Sequence, residues 1–243
     1  MNKIEVVGDL SFVHITESEP FGLTKIEVEK TCTLKIRQVR HQNPIYIEIA
    51  KDQSLQLEWT SEEARNQFEC ILRKNSKLLV HQIARDSSDH IKIKLEEDAA
   101  ECEYHYNILN HRENKLTMEI WHNAENTKSN VINHGVNDTD EKLVFDINGK
   151  IARQSSNCIC TQENQIIERK EGDCSIYPNL WIENNEVEAS HSAYIGSLKE
   201  EEIFYLMSRG LSRPQSEQLL LKGFLWKGKA VEETPFQEWM NPE

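Results

Sequence analysis

Several protein classes are excluded by what this chain lacks. Basic residues are outnumbered: 28 Lys and Arg stand against 41 Asp and Glu in 243 residues, a formal charge of −13. Most of such a surface repels a phosphate backbone or an anionic bilayer, so neither nucleic acid nor membrane is expected as a partner. No apolar run approaches the roughly 20 residues that span a bilayer, and the stretch from Met1 to Leu10 has no apolar signal core. A soluble, cytoplasmic protein is the expectation. Cysteine is sparse, with six residues (Cys32, Cys70, Cys102, Cys158, Cys160, Cys174) and no Cys-x-x-Cys pair, which favours reduced thiols over a disulfide framework. A Gly-rich phosphate loop, a catalytic-triad motif and a zincin motif are also missing. The length suffices for one substantial core and a small appendage, without staples.

What the chain has in abundance is alternation with period two. From Lys25 to Trp181 apolar residues recur at every second position, as in Ile45/Ile47/Ile49, Leu55/Leu57/Trp59, Ile91/Ile93/Leu95, Tyr104/Tyr106/Ile108, Leu116/Met118/Ile120 and Leu143/Phe145/Ile147. Turn formers and charges separate these runs, among them Asn43-Pro44, Lys51 to Ser54, Asp86 to Asp89, Asn107 to Asn114, Asn123 to Asn130, Asn148-Gly149 and Asn184-Asn185. The pattern predicts a nearly all-β body. A two-sheet sandwich and a solenoid of stacked coils both satisfy it.

Two regions depart from that pattern. Thr60 to Arg73 places Ala64, Phe68, Ile71 and Leu72 at helix-like intervals after Ser61, a possible cap, and reads as a short helix, with a hairpin insertion as the alternative. After His191 the period changes. Ser197-Leu-Lys-Glu200 is a capping box that predicts a helix to Arg209, stopped by Gly210. Ser212-Arg-Pro-Gln215 opens a second helix in the same style. Ile203, Phe204 and Met207 on the first helix, and Leu219, Leu220 and Phe224 on the second, form stripes at helical spacing. The tail from Lys227 to Glu243 has too little pattern to assign. Cys158 and Cys160 share one face if their segment is a strand, which suits a soft metal; the plainer reading is two small residues on one strand face.

The C-terminal motifs resemble those of a known family. Ser190-His-Ser-Ala-Tyr-Ile-Gly196 is followed by Phe204-Tyr205-Leu206-x-Ser208-Arg209-Gly210 and an apolar helix ending in Gly223-Phe224. Upstream lie Asp173-Cys-Ser-Ile-Tyr-Pro178, Val144-Phe145-x-x-x-Gly149-Lys150-Ile151, and His122 with Ser129. In order and spacing these resemble the SufB/SufD family, the non-ATPase subunits of the Suf machinery that assembles iron–sulfur clusters. The resemblance implies a right-handed parallel β-helix over residues 1–187 and a C-terminal helical segment over 188–243 that docks the ABC-type ATPase SufC. The chain looks like a short member without the long N-terminal helical region. A β-helix also agrees with the residues, since stacked coils bury apolar ladders and leave charges outside, as in Ile91-Lys-Ile-Lys-Leu95. Its end coil exposes strand edges that need a partner, and Pro178 to Ile182 is the candidate edge for pairing with a SufB-like paralogue or a second copy.

Site residues follow from the same resemblance. The position of the SufB scaffold cysteine falls on Glu163, and Ser190-His191-Ser192 has the SufD form, so a SufD-like, non-catalytic role is expected. His191 is then the metal-ligating candidate at the cluster-assembly interface, with Cys158 and Cys160 as register-shifted thiols, while His122 orders a turn. Phe204, Tyr205, Arg209, Leu220 and Phe224 are the expected ATPase-binding residues, although core packing and the helix dipole explain the same pattern. No cluster is expected to be held stably by this chain alone; a transient iron–sulfur cluster belongs to the complex. The alternatives are a SufB-like homodimeric scaffold in a two-component system and, by fold analogy only, a β-helix carbohydrate-active enzyme.

Overall fold

The computed structural model describes residues 2–7, 13–18, 23–40 and 44–225, with side chains from residue 23 onward. The tail beyond Leu225 and Asn43 of the expected Asn43-Pro44 turn lie outside the described residues. No helix among the described residues is long and apolar enough to cross a membrane.

The strands are β1 (Asn2–Val7), β2 (Val13–Ser18), β3 (Leu23–Val28), β4 (Cys32–Val39), β5 (Ile45–Ile49), β6 (Ser54–Glu62), β7 (Arg65–Leu72) and β8 (Lys77–Arg85). They continue as β9 (Ser88–Leu95), β10 (Glu101–Asn110), β11 (Asn114–His122), β12 (Lys128–Asn137), β13 (Leu143–Ile151), β14 (Cys158–Glu168), β15 (Ser175–Ile182) and β16 (Val187–Gly196). Two 8-stranded sheets result, in the orders β1-β4-β6-β8-β10-β12-β14-β16 and β15-β13-β11-β9-β7-β5-β3-β2. Pairing is parallel throughout except where β1 meets β4 and β2 meets β3. From β3 onward successive strands therefore alternate between sheets, and each coil lays one strand on each. This is a parallel β-helix flattened into two layers, which decides between the solenoid and the sandwich, since tight hairpins cannot join parallel strands.

Why the chain coils is visible at its corners. Arg40, Glu63 and Asp86 form one column of left-handed residues, with φ of 52°, 48° and 51°. Asp52, Asn75, Ala99, Asn126 and Asn157 form the other, with φ between 55° and 61°. Each such residue turns the backbone sharply and aims its N–H at the next coil, as from Glu63 to the Arg85 carbonyl (2.9 Å), Asn75 to Asp98 (3.0 Å) and Asn126 to Ser156 (2.9 Å). Asn and Asp tolerate this conformation best. Coil length is not constant: Asn75 Nδ2 donates to Asp52 Oδ1 across 23 residues, and Asn133 Nδ2 to Asn164 Oδ1 across 31.

Inside, alternation becomes ladders. Leu34, Leu57, Val80, Tyr104 and Val131 stack in register on one sheet, facing Ile26, Ile47, Cys70, Ile93 and Ile120 on the other. All are buried, and each large apolar side chain contributes about 1.5–3 kcal/mol. Trp59 and Phe68 meet across the sheets, ring centroids 5.2 Å apart.

Three local expectations are corrected. Thr60 to Arg73 is not a helix but the end of β6, a corner at Glu63 and Ala64, and then β7 from Arg65 to Leu72. Ala64, Phe68 and Leu72 are four apart, a spacing that is also a multiple of two; the burial of Asn66 and Cys70 between them marks a strand. Asn148-Gly149 is not a turn but lies within β13, where a Cβ on Gly149 would come within 2.8 Å of Cys160 Sγ and 2.9 Å of Leu180 Cδ2. Glycine there lets the two layers close. Finally, Asn107 to Asn110 belong to β10, not to a turn.

The helical pair is α1 (Glu200–Ser208) and α2 (Arg213–Leu225). Ser197 does not cap α1; Lys199 is the capping position, without a side-chain hydrogen bond, and Glu200, Glu201 and Glu202 offset the helix dipole instead. Gly210, at φ 97°, ends α1 as expected, with its N–H on the Met207 carbonyl at 3.0 Å. Ser212 does open α2, donating from N and Oγ to Gln215 Oε1, each at 2.9 Å. The inward residues are Ile203, Ser216, Leu221 and Leu225, so the expected stripes are met only in part: Ile203 is buried and Leu220 and Phe224 are half-buried, but Phe204, Met207 and Leu219 are exposed.

Candidate functional site

Two places concentrate unsatisfied surface: the helical pair and the last coil. The helices have a seat on the β body. Leu221 and Leu225 of α2 bury against Leu109, Val136 and Ile167, with Ile83, Leu198 and Phe224 at the margin. These partners lie on neighbouring strands of one sheet, so α2 crosses its outer face. The Phe224 ring stacks on His134, 4.6 Å between centroids, and His134 Nε2 is 3.6 Å from Glu163 Oε1. Arg213 donates to both carboxylate oxygens of Glu200 (2.5 and 3.0 Å), tying α1 to α2.

That seat sorts the expected ATPase-binding residues. Phe204 is 72 % exposed, and Tyr205 and Met207 beside it are exposed too. Arg209 lies 5.3 Å from the Tyr205 ring centroid. Leu220 and Phe224 are half-buried, and Phe224 is engaged with His134. The outward apolar surface is therefore Phe204, Tyr205, Met207 and Leu219, with Arg209 at its edge.

The last coil presents the second surface. Among the described residues β15 and β16 each pair on one side only, with β13 and β14 respectively. Pro178 sits within β15 beside Ile147, a position edge strands tolerate. Tyr177, Trp181, Ile182, Tyr194 and Ile195 are exposed along these strands. An apolar, unpaired edge of this kind is a template for another chain.

His191 lies on that edge, in register with Gln162 of β14, while Ser192 is in register with Glu163. Laterally paired residues share a face and neighbours in sequence oppose each other. His191 is thus on the inward face with Gln162, Cys160 and Cys158, whereas Glu163 faces out toward His134 and accepts a hydrogen bond from Gln165 Nε2 at 2.9 Å. The structure brings His191 to the side of the thiols and separates it from Glu163.

The thiols are enclosed. Cys158 Sγ is 3.1 Å from Thr127 Oγ1, which is 2.8 Å from His122 Nδ1; His122 Nε2 is 2.9 Å from Ser129 Oγ. Burial drives the His122 pKa down to about 4, so the ring is neutral. Burial also pushes the Cys160 thiol up, against a hydrogen bond from Ser129. Ser155 Oγ donates to the His122 carbonyl at 2.9 Å, so His122 ties the corner between β11 and β12 to the one after β13. Among the described residues no three His, Cys, Asp or Glu side chains converge as metal ligands.

Sequence reading missed the polar residues of the interior. Asp89 is fully buried; Tyr106 donates to its Oδ2 at 2.7 Å and Asn66 to its Oδ1, and desolvation lifts its pKa to about 6. Asn133, Gln162 and Asn164 are buried beneath the last coil. Their signal was present, because each falls on the inward phase of its strand.

The protein is thus a parallel β-helix whose last coil is an edge and whose outer face carries a seated helical pair. The sequence matches the family described as SUF system FeS cluster assembly, SufBD core domain, over residues 24–224, and the chain belongs to the SufB/SufD family of iron–sulfur cluster assembly proteins. It is similar to the iron–sulfur cluster assembly protein SufD of Bacillus subtilis, 31 % identical over 125 residues, covering 50 % of this chain and 28 % of that protein. An iron–sulfur cluster assembly SufBD family protein of Pyrococcus horikoshii is 57 % identical over 49 residues, 20 % of this chain and 11 % of the relative. One of Staphylococcus aureus is 26 % identical over 110 residues, 43 % and 23 % respectively. The matched stretches thus span less than a third of each of these relatives.

Proposed function

We propose that this chain is a SufD-like, non-catalytic subunit that pairs through its last coil with a SufB-like scaffold and docks a SufC-like ABC ATPase on its helical pair. The observation that carries the reading is the placement of His191 on the end strand of its sheet, in register with Gln162, while Glu163, which the resemblance aligns with the SufB cysteine, is turned to the other face. One imidazole leaves a cluster short of thiolates, so the remaining ligands come from the partner across the edge. The similarity to a protein named SufD supports the same choice.

The test is anaerobic reconstitution with iron and sulfide, read by visible charge-transfer absorption. The chain alone should hold no stoichiometric cluster, and His191→Ala should lower assembly on the complex. A stoichiometric cluster on the chain alone, lost in Cys158→Ser/Cys160→Ser, would overturn the reading in favour of a homodimeric scaffold. That second reading is favoured by one observation, the position of both thiols on the face of His191.

For the ATPase, the exposed Phe204 and Tyr205 are the residues to remove. Phe204→Ala/Tyr205→Ala should abolish co-purification of the ATPase with the body folded; unchanged binding refutes the docking face. A carbohydrate-active role gains no support from the outer groove of about 750 Å³ bordered by Gln56, Leu79 and Asn130. Its carboxylates are engaged, Glu101 with Lys77 at 2.8 Å and Glu103 with His105 at 2.7 Å.

A further inference from the structure

The amides beneath the last coil are oriented by backbone carbonyls, and that orientation leaves one acceptor beside His191. Asn164 Nδ2 donates to the Ser192 carbonyl at 3.2 Å, so its Oδ1 accepts from Asn133 Nδ2 at 2.8 Å. Gln162 Nε2 donates to the Asn179 carbonyl at 3.4 Å. Carbonyls only accept, so neither Asn164 nor Gln162 can reverse without losing its bond. Gln162 Oε1 is consequently buried without a hydrogen-bond partner, on a side chain 3 % exposed. An unpaired buried acceptor is costly, and its lateral partner one strand away on the same face is His191, an exposed residue whose ring carries an N–H donor. Gly149 keeps the space open, since a Cβ there would come within 2.9 Å of Gln162 Nε2.

We propose that Gln162 is the positioning residue of His191: its Oε1 accepts the N–H of one imidazole nitrogen and so fixes the tautomer that presents the other nitrogen, with its lone pair, to a metal. In this structure the two side chains are lateral neighbours and the bond is not formed; it forms when the His191 ring turns toward Gln162. Histidines that bind metals usually donate their second nitrogen to a carbonyl or carboxylate, which sets ring orientation and basicity. The inference rests on the reading of His191 as an interface ligand, but its test does not need the cluster.

The experiment is nitrogen-15 NMR of the imidazole nitrogens of His191 in the full chain at alkaline pH. One tautomer should dominate, by about 2- to 10-fold more than in Gln162→Met, which keeps the side-chain length and removes the acceptor. Gln162→Glu, which restores an acceptor oxygen, should recover the bias. Equal tautomer ratios in the parent and Gln162→Met would overturn the proposal, as would a failure of Gln162→Glu to differ from Gln162→Met. If Gln162→Met does not fold, the unsubstituted chain decides: cross-relaxation between the His191 ring and the Gln162 amide protons is expected, and its absence overturns the proposal. Loss of the His191→Ala effect on cluster assembly would instead refute the ligand reading while leaving the tautomer result standing.

Discussion

Asp89→Asn should stabilise this protein near pH 8 and do almost nothing near pH 4. Asp89 is buried between the sheets and its pKa rises from 3.8 to about 6 because desolvation outweighs the bonds from Tyr106, Asn66 and Gln82. Its folded value lies above its unfolded one. Below the unfolded value both states are protonated and there is no penalty; above about 6 both are ionised and the folded state bears the full penalty. A rise of about 2 units corresponds to roughly 3 kcal/mol, withdrawn as pH climbs from about 4 to about 6. Asparagine is neutral throughout and keeps the bonds to Tyr106 and Asn66, because Asn66 Oδ1 has no partner in the structure and its amide can reverse to accept from the new one.

His122 acts with the opposite sign. Its pKa falls from 6.5 to about 4, so the unfolded chain takes up the proton first and stability is lost as pH falls through that window, again by roughly 3 kcal/mol. The two slopes oppose each other in the parent protein. Asp89→Asn removes one of them, so its stability should climb steeply between about pH 4 and 6.5. Urea denaturation of parent and variant at about pH 4, 5, 6, 7 and 8 measures this, and the difference between the two curves cancels the surface carboxylates. A variant less stable than the parent at pH 8, or a difference independent of pH, would refute the reasoning.

Other outcomes follow from the geometry. Ala99→Gly should raise stability by up to about 1 kcal/mol, because Ala99 holds φ 58° at a corner where a Cβ is penalised; a thermal melt that falls would contradict it. Gly149→Ala should destabilise by about 1–3 kcal/mol, measured by denaturation, because its Cβ would meet Cys160, Gln162 and Leu180. Leu221→Ala should cost about 2–5 kcal/mol of local stability and release α2, seen as fast hydrogen exchange in α1 and α2 with the β body still protected. Uniform loss of protection through the β body would show that the seat is not a separate unit.

The strands were legible because a side-chain period of two needs only local information: Leu55/Leu57/Trp59 or Leu143/Phe145/Ile147 bury whichever partner they meet. Gly210 and the Ser212–Gln215 cap were legible for the same reason, since both act within one turn of their own helix. The family was legible through the motifs around His191 and Phe204. Thr60 to Arg73 was misread because a spacing of four fits a helix and a strand alike, and only the stacking of β7 between β5 and β9 selects the strand.

The sequence by itself therefore determined the β body, the stop of the first helix and the start of the second, and the family, all through interactions spanning a few residues. Tertiary structure alone decided the register between coils, because coil length drifts from 21 to 31 residues and no fixed period connects the strands. With register came the facts that matter for the site: His191 beside Gln162 and not Glu163, Gly149 as a gap between layers, and α2 seated by Leu221 and Leu225 on Ile83, Leu109 and Val136, 85 or more positions earlier in the chain. Such contacts depend on how far apart the corners are in the chain, and that length carries no local free-energy signal for a pattern to reveal.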